Sequence, residues 1–244
     1  MQQWQTQPEV DLTLGIPHTG VTSLAWAMNF RMLQLPPRVK FITLSGQPVD
    51  QARNMIVENA AGEWLFMLDS DVICPADTIP RLMATAKRLD AKIVSGLYYR
   101  RSNPLEGNRP VPGMYKWFPD QITEYGRGGH RAILDFKPGD VVEADVVGAG
   151  CLLINMEVFR TVPKSAVREW YLKHYADIPL FHTIPDGWWI FGPYITKNCM
   201  SEDFAGFHAF REYGYKLFVD TGVLCKHILP FAVGIDGFTA VDAG

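Results

Sequence analysis

Residues 63–71, Glu63-Trp64-Leu65-Phe66-Met67-Leu68-Asp69-Ser70-Asp71, run an apolar stretch straight into two carboxylates separated by one small residue. Cys74-Pro75-Ala76-Asp77 then breaks the chain before a helical pattern. A continuous apolar run bounded by turn signals predicts a strand buried on both faces, so the carboxylates emerge where the strand ends. That edge is where open α/β sheets bind ligands. Two carboxylates held close together repel, and a hard divalent cation relieves the repulsion. Taken alone, the tripeptide is more often a turn opened by Asp69 with Asp71 as a solvated loop residue, so the rest of the chain has to decide.

Upstream, residues 10–16 alternate as a strand and Pro17-His18-Thr19-Gly20 ends it. Leu24, Ala27, Met28, Met32 and Leu35 recur at helical spacing until Pro36-Pro37. Residues 39–44 read as a second strand, and Asp50 is placed to cap a helix through Ala60 that Gly62 terminates. Downstream, Ile79, Leu82, Met83, Ala86 and Leu89 form an apolar helical stripe before a strand at 91–97. Alternation with short connections predicts a doubly wound, mostly parallel α/β sheet flanked by helices. Neither Gly-x-x-x-x-Gly-Lys-Ser/Thr nor Gly-x-Gly-x-x-Gly is present, so a phosphate lacks the usual glycine cradle and a metal on Asp69 or Asp71 would have to hold it.

The 244 residues, 48% apolar and 20% charged, suit a single domain over 1–244. A formal charge of −3 gives no support for a nucleic-acid surface. Met1 to Glu9 lacks the features of a signal peptide and no stretch approaches membrane-spanning length, so a cytoplasmic protein is expected. The four cysteines lie far apart without a Cys-x-x-Cys pair, which argues against a structural zinc site and a disulfide framework and for reduced thiols.

In the second half, residues 98–140 predict a small antiparallel addition of short strands and loops. Arg100-Arg101 follows a strand end, where it is either a phosphate contact or a solvated basic turn. Gly126-Arg127-Gly128-Gly129-His130 reads as a hairpin tip in preference to a phosphate-binding nest. Residues 143–154 predict one long buried strand whose small residues at 148–150 admit a neighbouring backbone or a ligand. The aromatic-rich segment 175–200, with Phe181, Trp188, Trp189, Phe191 and Tyr194, either lines an acceptor cleft or packs on itself. Ser201-Glu202-Asp203-Phe204 opens a helix, where acidic residues are favoured by the dipole alone. Residues 215–220 and 223–228 read as two strands about Thr221-Gly222, and His227 lies at a strand end.

The order of these features resembles GT-A-fold glycosyltransferases, particularly those similar to glycosyltransferase family 2. The resemblance is carried by Leu14-Gly15-Ile16-Pro17, Ala52-Arg53-Asn54, Asp69-Ser70-Asp71, the run 147–154, Ser201-Glu202-Asp203-Phe204, Arg211 to Lys216, Val219-Asp220-Thr221 and His227. It covers about residues 10 to 230, with a nucleotide-binding half over about 10–100 and an acceptor-side half over about 101–230. It implies a nucleotide-sugar donor contacted by Ile16, Pro17, Arg53, Asp69 and Ser70. It also implies a divalent metal, manganese more than magnesium, on Asp71, Asp69 and His227, and Asp203 or Glu202 as the base that deprotonates a saccharide or other hydroxyl acceptor. His18-Thr19-Gly20 and Ser45-Gly46 depart from the family's usual residues, so the donor base does not transfer. A nucleotidyltransferase and a non-catalytic carbohydrate- or nucleotide-binding module on the same fold are the alternatives.

Overall fold

A computed structural model describes residues 10–100, 110–123, 126–176, 179–190, 201–228, 231–234 and 237–240. The first half alternates as β1 (Leu12–His18), α1 (Leu24–Met32), β2 (Val39–Ser45), α2 (Val49–Asn59), β3 (Trp64–Leu68), β4 (Val72–Ile73), α3 (Thr78–Leu89) and β5 (Ile93–Leu97). Strands β6 (Tyr99–Arg100), β7 (Val111–Pro112), β8 (Met114–Thr123) and β9 (Gly126–Ala132) follow. Then come β10 (Val141–Ala144), β11 (Val146–Val147), β12 (Cys151–Asn155), α4 (Met156–Thr161) and α5 (Ala166–His174). The last elements are α6 (Glu202–Glu212), β13 (Leu217–Leu224), β14 (Lys226–Ile228), β15 (Phe231–Gly234) and β16 (Gly237–Ala240).

The main sheet has the order β10-β13-β5-β12-β3-β1-β2. β1 is parallel to β2 and β3, and β13 is parallel to β5, while β12 and β10 run antiparallel to their neighbours. Strand β3 is buried on both faces, as its apolar run predicts. Leu65 and Met67 enter the core that holds α2, α5 and α6, and Phe66 and Leu68 enter the opposite core with α1 and α3. None of the described helices is long and apolar enough to cross a membrane.

Several local expectations change. The stretch 143–154 is not one strand but β10, β11 and β12, broken at 148–150 because Tyr98 and Asp69 press against the glycines there. A Cβ on Gly148 would lie 1.6 Å from Tyr98 Oη, and one on Gly150 3.0 Å from Asp69 Oδ2. Residues 217–224 form a single strand through Thr221-Gly222, with the register against β5 shifting between Asp220 and Leu224. Helix α2 is capped by Pro48, with Asp50 in its first turn. The spaced residues Leu24, Met28 and Met32 of α1 are exposed, and Trp26 is the buried one. The Trp26 indole prevails because it buries its ring while its N–H donates to the Asp69 carbonyl at 2.9 Å. Trp188 and Trp189 are buried in the core, clamped by Asn54, whose Oδ1 accepts their backbone N–H groups at 2.9 and 3.1 Å. Packing therefore accounts for those two rings and for Phe181, while Phe191, Tyr194, Cys199 and Arg101 lie outside the described residues.

Candidate active site

The end of β3 places the acidic pair. After Leu68 the chain turns, with Val72 N–H donating to the Asp69 carbonyl at 3.1 Å and Asp69 N–H donating to Gly150 O at 3.0 Å. Strand β4 then pairs antiparallel with β14, setting Val72 opposite His227, and Ile228 N–H donates to the Asp71 carbonyl at 2.6 Å. This pairing brings His227 beside Asp69-Ser70-Asp71. His227 Nδ1 donates to the Tyr99 carbonyl at 2.7 Å, which fixes the tautomer and makes Nε2 the acceptor nitrogen. The edge of the ring rests on Tyr98, centroids 4.9 Å apart.

Arg53 on α2 holds the centre together. It is 2% exposed; one terminal nitrogen donates to both oxygens of Asp69 at 2.8 and 3.1 Å, and the other to Glu202 Oε1. This guanidinium is thus engaged by protein carboxylates, a positioning task that the sequence did not reveal. Burial opposes its charge, but Asp69, Glu202 and Asp203 together keep its proton affinity above the usual value. At the start of α6, Glu202 and Asp203 are buried, which a helix-dipole role at the surface would not require. Asp203 Oδ2 accepts Ala149 N–H at 3.0 Å; Oδ1 accepts Phe204 N–H at 3.0 Å and the Ser201 hydroxyl. Ser201 occupies the N-cap position, yet its hydroxyl serves Asp203 rather than the helix backbone.

One guanidinium faces three carboxylates in this cluster. Burial first, and the Asp203 charge second, push Glu202 up to about 7, with Arg53 pulling the other way. Burial also raises Asp203, against the pull of Arg53 and of its hydrogen bonds from Ser201 and Ala149.

Arg53, Asp69, Arg100, Glu202, Asp203 and His227 all line one cavity of about 430 Å³. Arg100 of β6 reaches this cavity. A second cavity of about 290 Å³ opens at the ends of β1 and β2 and is lined by Ile16, Trp26, Phe30, Phe41 and Ser70 among others. Pro17 is buried in β1 and is not among the residues lining either cavity. Asp71 is half-buried, beside β14. Among the described residues, Asp69, Asp71 and His227 do not bring three ligand atoms within 4.8 Å of one another. Their chemistry, two carboxylates and an imidazole presenting Nε2, nonetheless suits a manganese- or magnesium-class ion that takes its remaining ligands from phosphate and water.

Tyr98 was not singled out from the sequence. It is buried, its hydroxyl accepts Gly150 N–H at 3.3 Å, and it lines the main cavity. The small residues at 148–150 were the available signal, since they mark where something approaches the backbone.

A family model described as "Glycosyl transferase family 2" matches residues 22–142. The match includes Arg53 and Asp69-Ser70-Asp71 and ends before Glu202, Asp203 and His227. No curated protein matches the chain. Among solved structures, A197 from STIV is similar with a TM-score of 0.56 and 15% identity, over 96% of this chain and 95% of that one. GalNAc-T7, solved with UDP, GalNAc and Mn2+, is similar with a TM-score of 0.51 and 11% identity, over 92% of this chain and 45% of that one. At such identities the likeness is one of fold, a mixed α/β arrangement around a central, mostly parallel sheet with small antiparallel additions.

Proposed function

We propose that this chain, a GT-A-fold protein similar to glycosyltransferase family 2, moves a sugar from a nucleotide-sugar donor to an acceptor hydroxyl. The observation that carries the reading is the convergence of Asp69, Glu202, Asp203 and His227, from three distant parts of the sequence, on one cavity at the carboxyl edge of β3 and β5. In this reading the chain is one GT-A-like domain with its donor half first and its acceptor half second.

The donor nucleoside occupies the smaller cavity, where Trp26, Phe30 and Phe41 offer apolar ring surface and Ile16 and Ser70 complete the wall. Its diphosphate then crosses the Asp69-Ser70-Asp71 turn toward the larger cavity. Asp71, Asp69 and His227 would hold a divalent cation, and the imidazole favours manganese over magnesium. When bound, that cation offsets the charge growing on the leaving diphosphate. Arg53 keeps Asp69 and Glu202 in place, and Arg100 reaches the same cavity as a cationic contact for phosphate.

Asp203 is the base for the acceptor hydroxyl: its carboxylate is oriented by the backbone N–H groups of Ala149 and Phe204. Glu202 is the second reading for that role, because its proton affinity near 7 matches what a general base needs at neutral pH.

A panel of nucleotide sugars tested with manganese for nucleoside diphosphate release is the direct experiment. Turnover with one donor, together with a manganese-dependent thermal shift by nucleoside diphosphate that Asp71→Asn abolishes, is expected. Saturable donor binding without turnover would overturn the enzyme reading in favour of a binding module. A thermal shift unchanged in Asp71→Asn would overturn the metal assignment.

A further inference from the structure

Cys74, Cys151 and Cys225, widely separated in the sequence, meet inside the fold. Their Sγ atoms lie within 4.8 Å of one another, with Cys74 and Cys151 at 3.7 Å. The wide spacing that argued against a metal site in the sequence is thus closed by the topology. Cys74 follows β4, Cys151 opens β12, and Cys225 lies between β13 and β14.

We propose that these three thiols form a binding site for a soft, thiophilic d10 metal ion of the copper(I) or zinc class, beneath and separate from the candidate active site. At about 2.3 Å per metal–sulfur bond, three sulfurs in a trigonal plane sit about 4 Å apart. The observed spacing needs only small side-chain shifts to reach that arrangement. On binding, three S–H protons pass to solvent as three metal–sulfur bonds form, with no change of oxidation state.

The donor set is sulfur alone, and among the described residues no carboxylate or imidazole joins it. Thiolates select copper(I) and zinc, and discriminate against the oxygen-seeking ions suited to Asp69 and Asp71. The thiols are 2%, 0% and 0% exposed, so no sulfur faces bulk solvent in the folded chain. That sealing favours a three-coordinate ion such as copper(I) over zinc, which takes four ligands in structural sites.

Gly96 on β5 supports the assignment. A Cβ there would lie 2.9 Å from Cys151 Sγ and 3.2 Å from Cys225 Sγ, so the bare backbone of β5 leaves the sulfurs their room. A bound ion would tie together the three segments under the candidate active site. Cys74 follows Asp71 by three residues, Cys151 follows Gly150, whose carbonyl accepts Asp69 N–H, and Cys225 precedes His227 by two.

The test uses the full chain, reduced and metal-free under anaerobic conditions, titrated separately with copper(I) and zinc(II) against a competing chelator. Metal retained after desalting, charge-transfer absorption in the near ultraviolet and melting temperature are the readouts. One ion per chain and a raised melting temperature are expected. Cys225→Ser should weaken binding by more than the roughly 10–100-fold that outer-shell changes cost. Gly96→Ala, which keeps every thiol but crowds two of them, should weaken binding as well. Failure of the native wild-type chain to retain either ion would overturn the proposal whatever the variants do. Retention unchanged in Cys225→Ser would overturn it too. Neither result bears on the glycosyltransferase reading, which these experiments do not touch.

Discussion

Replacing Glu202 with glutamine should make the protein gain stability relative to the wild type as pH rises from 4 to 8, although the change removes a partner from a buried ion pair with Arg53. Glu202 is 5% exposed and shares that guanidinium with Asp69, while Asp203 adds a third carboxylate. Burial, and then the Asp203 charge, raise its pKa from 4.5 to about 7. A carboxyl whose folded-state value is raised contributes stability that is fully present below its unfolded value and is lost as pH rises through the folded one. At about 1.36 kcal/mol per tenfold change in proton affinity, the gap amounts to about 3 kcal/mol lost between about pH 4.5 and pH 7. Glutamine is neutral throughout and does not lose it. Urea denaturation of both proteins without metal, from pH 4 to pH 8, gives the difference in unfolding free energy, in which titrations common to both largely cancel. The difference should move toward the variant by about 3 kcal/mol across that window. A flat difference, or a wild type that becomes relatively more stable as pH rises, would show that the Arg53 attraction outweighs burial, and the electrostatic account of the cluster would fall.

Asp203→Asn should retain the donor-dependent thermal shift and lower transfer by about 10²–10⁴-fold, the range for a general base; transfer at the wild-type rate would transfer the role to Glu202. Gly148→Ala should destabilise the fold by about 1–3 kcal/mol, because the new Cβ would lie 1.6 Å from Tyr98 Oη. Adding Tyr98→Phe should recover part of that loss in urea denaturation, and no recovery would place the clash elsewhere.

How far the sequence discloses this molecule depends on whether a feature is local. The run at 64–68 is read correctly because burial on both faces makes every residue apolar, and its end therefore locates Asp69. The same logic hides β12. Cys151–Asn155 is buried on both faces too, and an apolar run carries no mark of direction, so its antiparallel insertion between β3 and β5 is invisible until the strands are paired. Helix α1 misleads for a related reason: its spaced leucine and methionines satisfy helical periodicity, but Trp26, off that stripe, has the larger ring and a carbonyl to bond, and it decides which side faces inward.

The site shows the same division more sharply. Acidic residues at the start of α6 have an ordinary explanation in the helix dipole, and only burial separates Glu202 and Asp203 from surface capping residues. Burial in turn creates a charge problem that no single segment displays. With three carboxylates around one guanidinium, negative charge exceeds positive, and the burial of Glu202 and Asp203 makes the excess costly. A proton on Glu202 relieves it in part, adding to the burial that is the larger cause of a value near 7. A divalent cation held at Asp69 would relieve the same imbalance without that proton. Under the proposed metal site, cation binding and the protonation of Glu202 would be competing answers to one electrostatic demand, set by three carboxylates that the fold gathers around one guanidinium.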